Sequence, residues 1–210
     1  MRSKKSAEGQ DEGTFVNRAR RLQFVECAIE GLVELGFTAT TIAEVARRAE
    51  VSKSVVLYHF ASRSELMEAV MEQVYADAVV PLRAAREAAA TERERVLTYV
   101  RSCVNFTWTH QKEAQAVLEI SRNLRDGDGR LRYTSQGNDS LIAVAQQLLE
   151  AGKQAGEFGD FDTWTAAVLL RATIDALSEQ FMTNPGVDGP QVAEHLVRLI
   201  DRMIPAAQAE

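Results

Sequence analysis

Apolar residues along the chain recur at spacings of three and four, the period of a helix that buries one face. Between about Asn17 and Leu35 the set Leu22, Val25, Ala28, Ile29 and Leu32 shares a face, and Gly36 follows as a C′ residue that ends a helix. Thr41-Ile42-Ala43-Glu44 has the form of a capping box, in which Thr41 and Glu44 satisfy the first free amides of a second helix. That short helix takes its buried stripe from Ile42, Val45, Ala46 and Ala49. Ser52 reads as the N-cap of a third helix through about Phe60. Ser62-Arg63-Ser64-Glu65 is a second box, opening a fourth helix with Leu66, Met67, Val70, Met71 and Val74 inside. Pro81 is expected to end or bend it.

Past Pro81 the predicted elements lengthen. Thr91 to Glu94 makes a further box, with a helix to about His110, and the next helix covers about Lys112 to Leu124. RDGDGR then signals a loop. A helix is predicted from about Ser135 to Gly156, one apolar on most sides from Thr163 to Met182, and a last one from about Pro190 to Met203. Neither strand-like alternation nor an internal repeat appears. The predicted fold class is all-α.

Composition adds little to this until charge is read by region. Apolar residues make up 46% and charged residues 26%, ordinary for a globular chain. Net charge is −6, which on its face argues against a nucleic-acid partner. Yet residues 1–63 carry ten Lys/Arg against eight Asp/Glu, and the rest is strongly acidic, so one end is mildly basic. No apolar run approaches the ~20 residues of a membrane span, and no signal peptide is visible, so a cytoplasmic protein away from membranes is expected. Cys27 and Cys103 read as small buried hydrophobes in a reducing compartment, with a disulfide as the alternative. His59, His110 and His195 are scattered, and nucleophile-elbow, phosphate-loop, dinucleotide and metalloprotease motifs are missing. No enzyme, cofactor or metal is expected.

Thr41 to Phe60, TIAEVARRAEVSKSVVLYHF, has the layout of a helix-turn-helix. In its second helix Val55, Leu57 and Tyr58 accompany Ser52, Lys53, Ser54 and His59, more than one short helix can bury. Small hydroxylic groups let a helix sit deep in the major groove, and apolar groups can meet thymine methyls. Lys53, Tyr58, His59 and Arg63 can reach phosphates. Each has a plainer reading as well: a cap for Thr41 and Ser52, packing for His59, a solvated charge for Lys53 and Arg63. Arg47 and Arg48 read as a solvated face, and Arg18, Arg20 and Arg21 stand evenly between surface and phosphate.

Residues 17–75 resemble the DNA-binding domain of the tetracycline-repressor (TetR) family. The matching positions are Gly36-Phe37, Thr41-Ile42, Val45-Ala46, Ala49, Val51-Ser52, Val56, Tyr58-His59-Phe60 and Ser62-Arg63-Ser64-Glu65-Leu66, about a quarter of the chain. Residues 1–13 hold almost no large apolar residue and are expected to be disordered; the resemblance implies a helix-turn-helix domain over 14–62 and a helical effector-binding and dimerisation domain over 63–205. It implies that Thr41 meets phosphate, that Ser52, Lys53, Ser54 and Val55 face base edges, and that Tyr58, His59 and Arg63 bind the backbone. The chain departs from the family's usual pattern at three positions: Glu50 stands where Gly is common, Ser54 where Gly or Pro is, and Leu57 where Tyr is.

Thr163 to Met182, with Ala166, Ala167, Ala172 and Ala176, suits close helix approach. Together with the last helix, bearing Val192, Leu196, Leu199 and Ile200, it is expected to form a two-fold four-helix bundle with its copy, the plainer reading being a core helix of a monomer. A homodimer would place two reading helices on a palindromic operator in double-stranded DNA. The resemblance also implies a small-molecule effector held within residues 80–180 and a repressor that it releases. Phe106, Trp108, Leu118 and Trp164 are candidates to line an apolar cavity, and Asn105, His110, Arg122, Arg171 and Asp175 to orient a polar ligand. Arg171 and Asp175 are also spaced to pair with each other on one helix. Two alternatives remain open: a DNA-binding regulator without a small-molecule effector, controlled by a protein partner, and a helical interaction module that has lost DNA binding.

Overall fold

A computed structural model describes residues 5–133 and 141–207. Among these residues the chain forms nine helices, α1 Lys5–Ala39, α2 Ile42–Arg48, α3 Lys53–His59, α4 Arg63–Glu87, α5 Glu92–Thr109, α6 Gln111–Asn123, α7 Leu141–Gln154, α8 Thr163–Thr183 and α9 Gly189–Met203. The all-α class is as predicted. Two compact units divide the chain, Met1–Gln73 and Val74–Glu210.

In the first unit α1 is already helical at Lys5, where a disordered tail through residue 13 was expected. Ala, Glu, Gln and Lys lose little rotamer freedom in a helix, so a polar stretch extends one that is nucleated further on. Gly36 breaks α1 with φ 76° and ψ 174°, a conformation a Cβ would strain, and one more turn reaches Ala39. Phe24, Val25, Ala28, Ile29 and Leu32 of α1 pack into a core with Ile42, Val45, Val56, Phe60 and Leu66. Thr40 is buried there, and its hydroxyl donates to the Gly36 carbonyl at 2.8 Å. α1 can pass so near only because residue 31 is glycine: a Cβ on Gly31 would lie 2.9 Å from Thr40 Cγ2.

Two of the predicted capping boxes form with one consistent change. Thr91 Oγ1 accepts from the Glu94 amide at 3.0 Å and Ser62 Oγ from the Glu65 amide at 3.1 Å. In both boxes the glutamate reaches back one residue further than the usual arrangement, to the amides of Ala90 and Ala61. α4 passes Pro81 and continues to Glu87, so the proline does not end it: it removes a single donor while the bonds on either side persist. The expected start of α7 at Ser135 lies outside the described residues.

In the second unit α5 packs against α7, α8 and α9, and α6 against α8. Val96, Tyr99, Val100 and Val104 of α5 meet Leu148 and Leu149 of α7, Leu170, Ile174 and Phe181 of α8, and Ala193 and Val197 of α9. The N-terminus of α5 is held by a carboxylate from another element: Glu157 accepts from the amides of Glu92 and Arg93, each at 2.9 Å. Those amides and the positive end of the helix keep the Glu157 carboxyl below its ordinary pKa. Arg93 then reaches Asp201 Oδ1 at 2.7 Å and the Ile204 carbonyl at 3.0 Å. Gly159 donates to the Pro205 carbonyl at 2.9 Å and Ala207 to the Glu157 carbonyl at 3.3 Å. Both cysteines are free.

Candidate nucleic-acid interface

α2 and α3 are seven residues each, too short to persist without tertiary support. Their relative placement is fixed by the turn between them. Val51 N–H donates to the Ala46 carbonyl at 3.0 Å and Glu50 N–H to the Arg47 carbonyl at 3.2 Å, the two bonds of a Schellman ending. That ending needs a left-handed residue after the C-cap, and Glu50 supplies it with φ 54°. A glutamate thus occupies a backbone position suited to glycine.

α3 is pinned from one side. Val56 is its buried residue and Phe60, just beyond its end, is fully buried. Ser52, Lys53, Ser54, Val55, Leu57 and Tyr58 are all exposed, Tyr58 to 81%. Thr41 is exposed at the start of α2, its hydroxyl accepting from the Glu44 amide at 3.2 Å. The sequence reading made Ser52 a cap, but its hydroxyl instead bonds the Ser54 hydroxyl at 2.8 Å and leaves the α3 amides without a side-chain cap. Six of the eight residues expected at DNA therefore share an open surface.

The other two are occupied by the fold. Arg63 donates from Nε to the Thr40 carbonyl at 2.8 Å and from Nη2 to the Phe37 carbonyl, with its guanidinium 4.1 Å from the Phe37 ring centroid. It satisfies carbonyls at the end of α1, so a phosphate would have to displace them. His59 Nδ1 bonds Asn17 Oδ1 at 2.8 Å, and its ring packs on Phe24 and Tyr58. Burial, then the charges of Arg21 and Arg20, lower the His59 pKa. With the Asn17 oxygen accepting, Nδ1 carries the proton and neutral Nε2 offers phosphate only a lone pair.

Arg21 acts similarly: it donates to the His59 carbonyl, lies 4.1 Å from the Phe60 ring centroid and pairs with Glu65 at 3.7 Å. Arg47 grips Glu44 through two bonds of 2.8 and 2.7 Å, and Arg48 joins Glu44 to Glu34. The Arg47 hydrogen bonds and the nearby Arg48 hold the Glu44 carboxyl down at about 2. Its side chain is therefore spent on two arginines rather than on the Thr41 amide that the capping box would have used.

The description "TetR_N: Bacterial regulatory proteins, tetR family" belongs to a family model that matches residues 25–70, the span from the middle of α1 into α4. Over 188 residues the chain is 34% identical to the HTH-type transcriptional regulator BetI of Burkholderia ambifaria, an alignment covering 75% of this chain and 93% of that protein. The chain belongs to the TetR family. It is a DNA-binding transcriptional regulator. BetI of Burkholderia thailandensis is 28% identical over 183 residues, with the same coverage. Among solved structures, a TetR-family regulatory protein from Rhodococcus RHA1 superposes with a TM-score of 0.73 at 23% identity, covering 90% of this chain and 98% of that one. The fatty acid degradation regulator FadR of Bacillus halodurans gives 0.71 at 17%, covering 85% and 96%. Both have this fold.

The regulator's second unit disperses the nine residues expected at an effector. Trp164 is 53% exposed, and His110 and Arg122 are exposed, so in the single chain none of them lines an enclosed cavity. The His110 ring stacks on Phe106 with centroids 4.3 Å apart. Trp108 covers Gly189, where a Cβ would lie 2.1 Å from its ring, and Leu118 is half-buried on α6. Asn105 Oδ1 is buried without a hydrogen-bond partner. Arg171 is buried and paired with Asp175 at 2.7 Å. Among the described residues, one groove of about 300 Å³ lies beside Phe161, Leu169, Ile200 and Met203, and another of about 680 Å³ beside Val79, Arg95, Val144 and Leu148. None of the nine lines either groove. Sequence reading missed Tyr75, Tyr99 and Ser178, polar groups inside this unit; Tyr99 hides in α5 as one more member of its apolar stripe.

Proposed function

We propose that this TetR-family protein is a homodimeric repressor that binds a palindromic operator through α3 and releases it when a small molecule binds the second unit. The observation that carries the reading is the outward face of α3, where Tyr58, Lys53, Ser54 and Val55 are exposed around one buried residue. Thr41, Ser52 and Tyr58 position the helix on phosphates, and Lys53, Ser54 and Val55 meet base edges. Arg63 and His59 hold the reading helix against α1. An exposed apolar patch rimmed by polar groups marks a surface that meets a partner.

A stripe along α8 and α9 supports the dimer. Trp164, Leu169, Ala172 and Ala176 on α8 and Leu199 and Met203 on α9 are exposed, apolar groups of the kind that a partner surface covers. A second copy would cover it and set two α3 helices about one DNA turn (~34 Å) apart. An effector that lowers operator affinity tenfold must bind the released form more tightly by about 1.4 kcal/mol.

The test is binding of the full-length protein to fragments flanking its own gene, with light scattering of the free protein alongside. The proposal expects one fragment with dyad symmetry to be retained by a dimer, with affinity falling steeply with salt as counterions are released. A monomer in solution, or equal retention of every fragment, would overturn it.

A further inference from the structure

Among the described residues of the second unit, Arg171, in the middle of α8, is the charged residue that is buried. A guanidinium offers five N–H donors, and a buried donor left unmet costs free energy. Arg171 Nη2 donates to Asp175 Oδ1 at 2.7 Å. Across from it on α5 the buried Tyr99 hydroxyl lies close to the guanidinium and to the Cys103 thiol without completing a well-formed hydrogen bond to either. Two turns on from Arg171 along the same face of α8, Ser178 Oγ is buried and also without a partner. Burial pushes the Tyr99 and Tyr75 hydroxyls up, so both stay protonated as donors. The cluster thus holds an excess of donors, set among Val100, Val104, Leu170 and Ile174. Asp175 is 43% exposed and gives the cluster its way to solvent.

From these groups we infer that Arg171, with Tyr99 and Ser178, is the polar anchor of the effector site and takes the carboxylate of a monoanionic ligand with an apolar body. The inference rests on the effector-released reading above. A planar carboxylate matches the guanidinium fork, and its remaining lone pairs accept from the two hydroxyls. The ligand takes the place of Asp175, whose carboxylate turns out to water, so the buried charge stays balanced by one negative group. A dianion would leave that balance broken, and a neutral amide would bring its own donors to a place already crowded with them. A purely structural Arg171–Asp175 pair would explain the ion pair but not the unmet Tyr99 hydroxyl near it or the unmet Ser178 hydroxyl further along the same face.

The experiment uses the full-length protein with acetate, butyrate, octanoate and benzoate in the tens of millimolar, against butyramide and benzamide at matched ionic strength. Thermal unfolding midpoint and operator affinity are read together. The carboxylates should raise the midpoint by a few degrees and the amides should not. Arg171→Met should abolish the response, and Arg171→Lys, which keeps the charge and loses the fork, should reduce it severalfold should the methionine variant fail to fold. Equal shifts from acids and amides, no shift from any carboxylate, or an unchanged response in Arg171→Lys would overturn the assignment. A carboxylate that binds through Arg171 without weakening operator binding would leave the anchor standing and remove the effector reading. Operator release by amides that survives Arg171→Lys would do the reverse.

Discussion

Replacing Glu50 by glycine should stabilise the protein and tighten its grip on DNA, by two separable routes. Glu50 holds the left-handed place of the α2 ending with φ 54°. A residue with a Cβ pays about 1–2 kcal/mol for that conformation. Glycine escapes the strain but loses about 0.5–1 kcal/mol through its freer unfolded chain. The difference is a gain of about 0.5–1 kcal/mol, a rise of about 1–4 °C in unfolding midpoint for a chain of this size. The second route is charge: a carboxylate on the order of 10 Å from a phosphate in water repels it by ~0.4 kcal/mol, about twofold in affinity. Circular-dichroism melts at fixed protein concentration would compare Glu50→Gly, Glu50→Asn, Glu50→Ala and Glu50→Gln. Stability should rank glycine first, asparagine next, and alanine and glutamine level with the parent, while all four bind operator about twofold tighter. Alanine has a Cβ and no charge, so an alanine variant as stable as the glycine one would refute the backbone argument.

Tyr58→Ala and Lys53→Ala should each weaken operator binding without changing unfolding stability by more than about 0.5 kcal/mol, and the lysine change should relax the preference for the base it faces; fluorescence anisotropy with the operator and base-substituted operators, beside urea unfolding, checks both. Arg63→Ala should instead destabilise by about 1–3 kcal/mol, leaving the Phe37 and Thr40 carbonyls to find new donors, and loss of DNA binding with unchanged denaturant stability would show that it contacts DNA directly. Gly152→Ala places a methyl 2.0 Å from the buried Phe158 ring and should cost about 1–3 kcal/mol in urea unfolding, where a neutral outcome would mean that the ring can retreat. For pH, a His59 pKa below the ordinary ~6.5 means that the unfolded chain takes up the proton first. Stability should then fall as pH drops below ~6.5 towards the folded-state pKa, and His59→Gln should flatten that window; an unaltered profile in the variant would assign the loss elsewhere.

Helix existence and most ends were legible because local signals agreed. Thr91 and Ser62 cap as their spacing demanded, and Gly36 sits at positive φ where the apolar stripe of α1 stops. The exposed face of α3 was legible too, since its seven residues held more large side chains than one inner surface could take. What could not be read was competition for side chains. Arg63 and His59 look like phosphate ligands in a string of letters, and only the folded chain shows carbonyls and an asparagine already holding them. The second unit was harder because burial there comes from α5 meeting α7, α8 and α9, long-range pairings that no local period encodes. Trp164 and Tyr99 illustrate both failures: the larger aromatic faces solvent and the phenol is buried.

The strand of chain after α9 has a practical meaning. Ile204, Pro205 and Ala207 are sewn to Arg93, Gly159 and Glu157, and Glu157 in turn closes the start of α5. A protease that clips after Met203 would free the latch of a helix more than a hundred positions upstream. Purification handles at this terminus therefore belong beyond Ala207, joined through a spacer, because trimming inward would loosen the core from its far end.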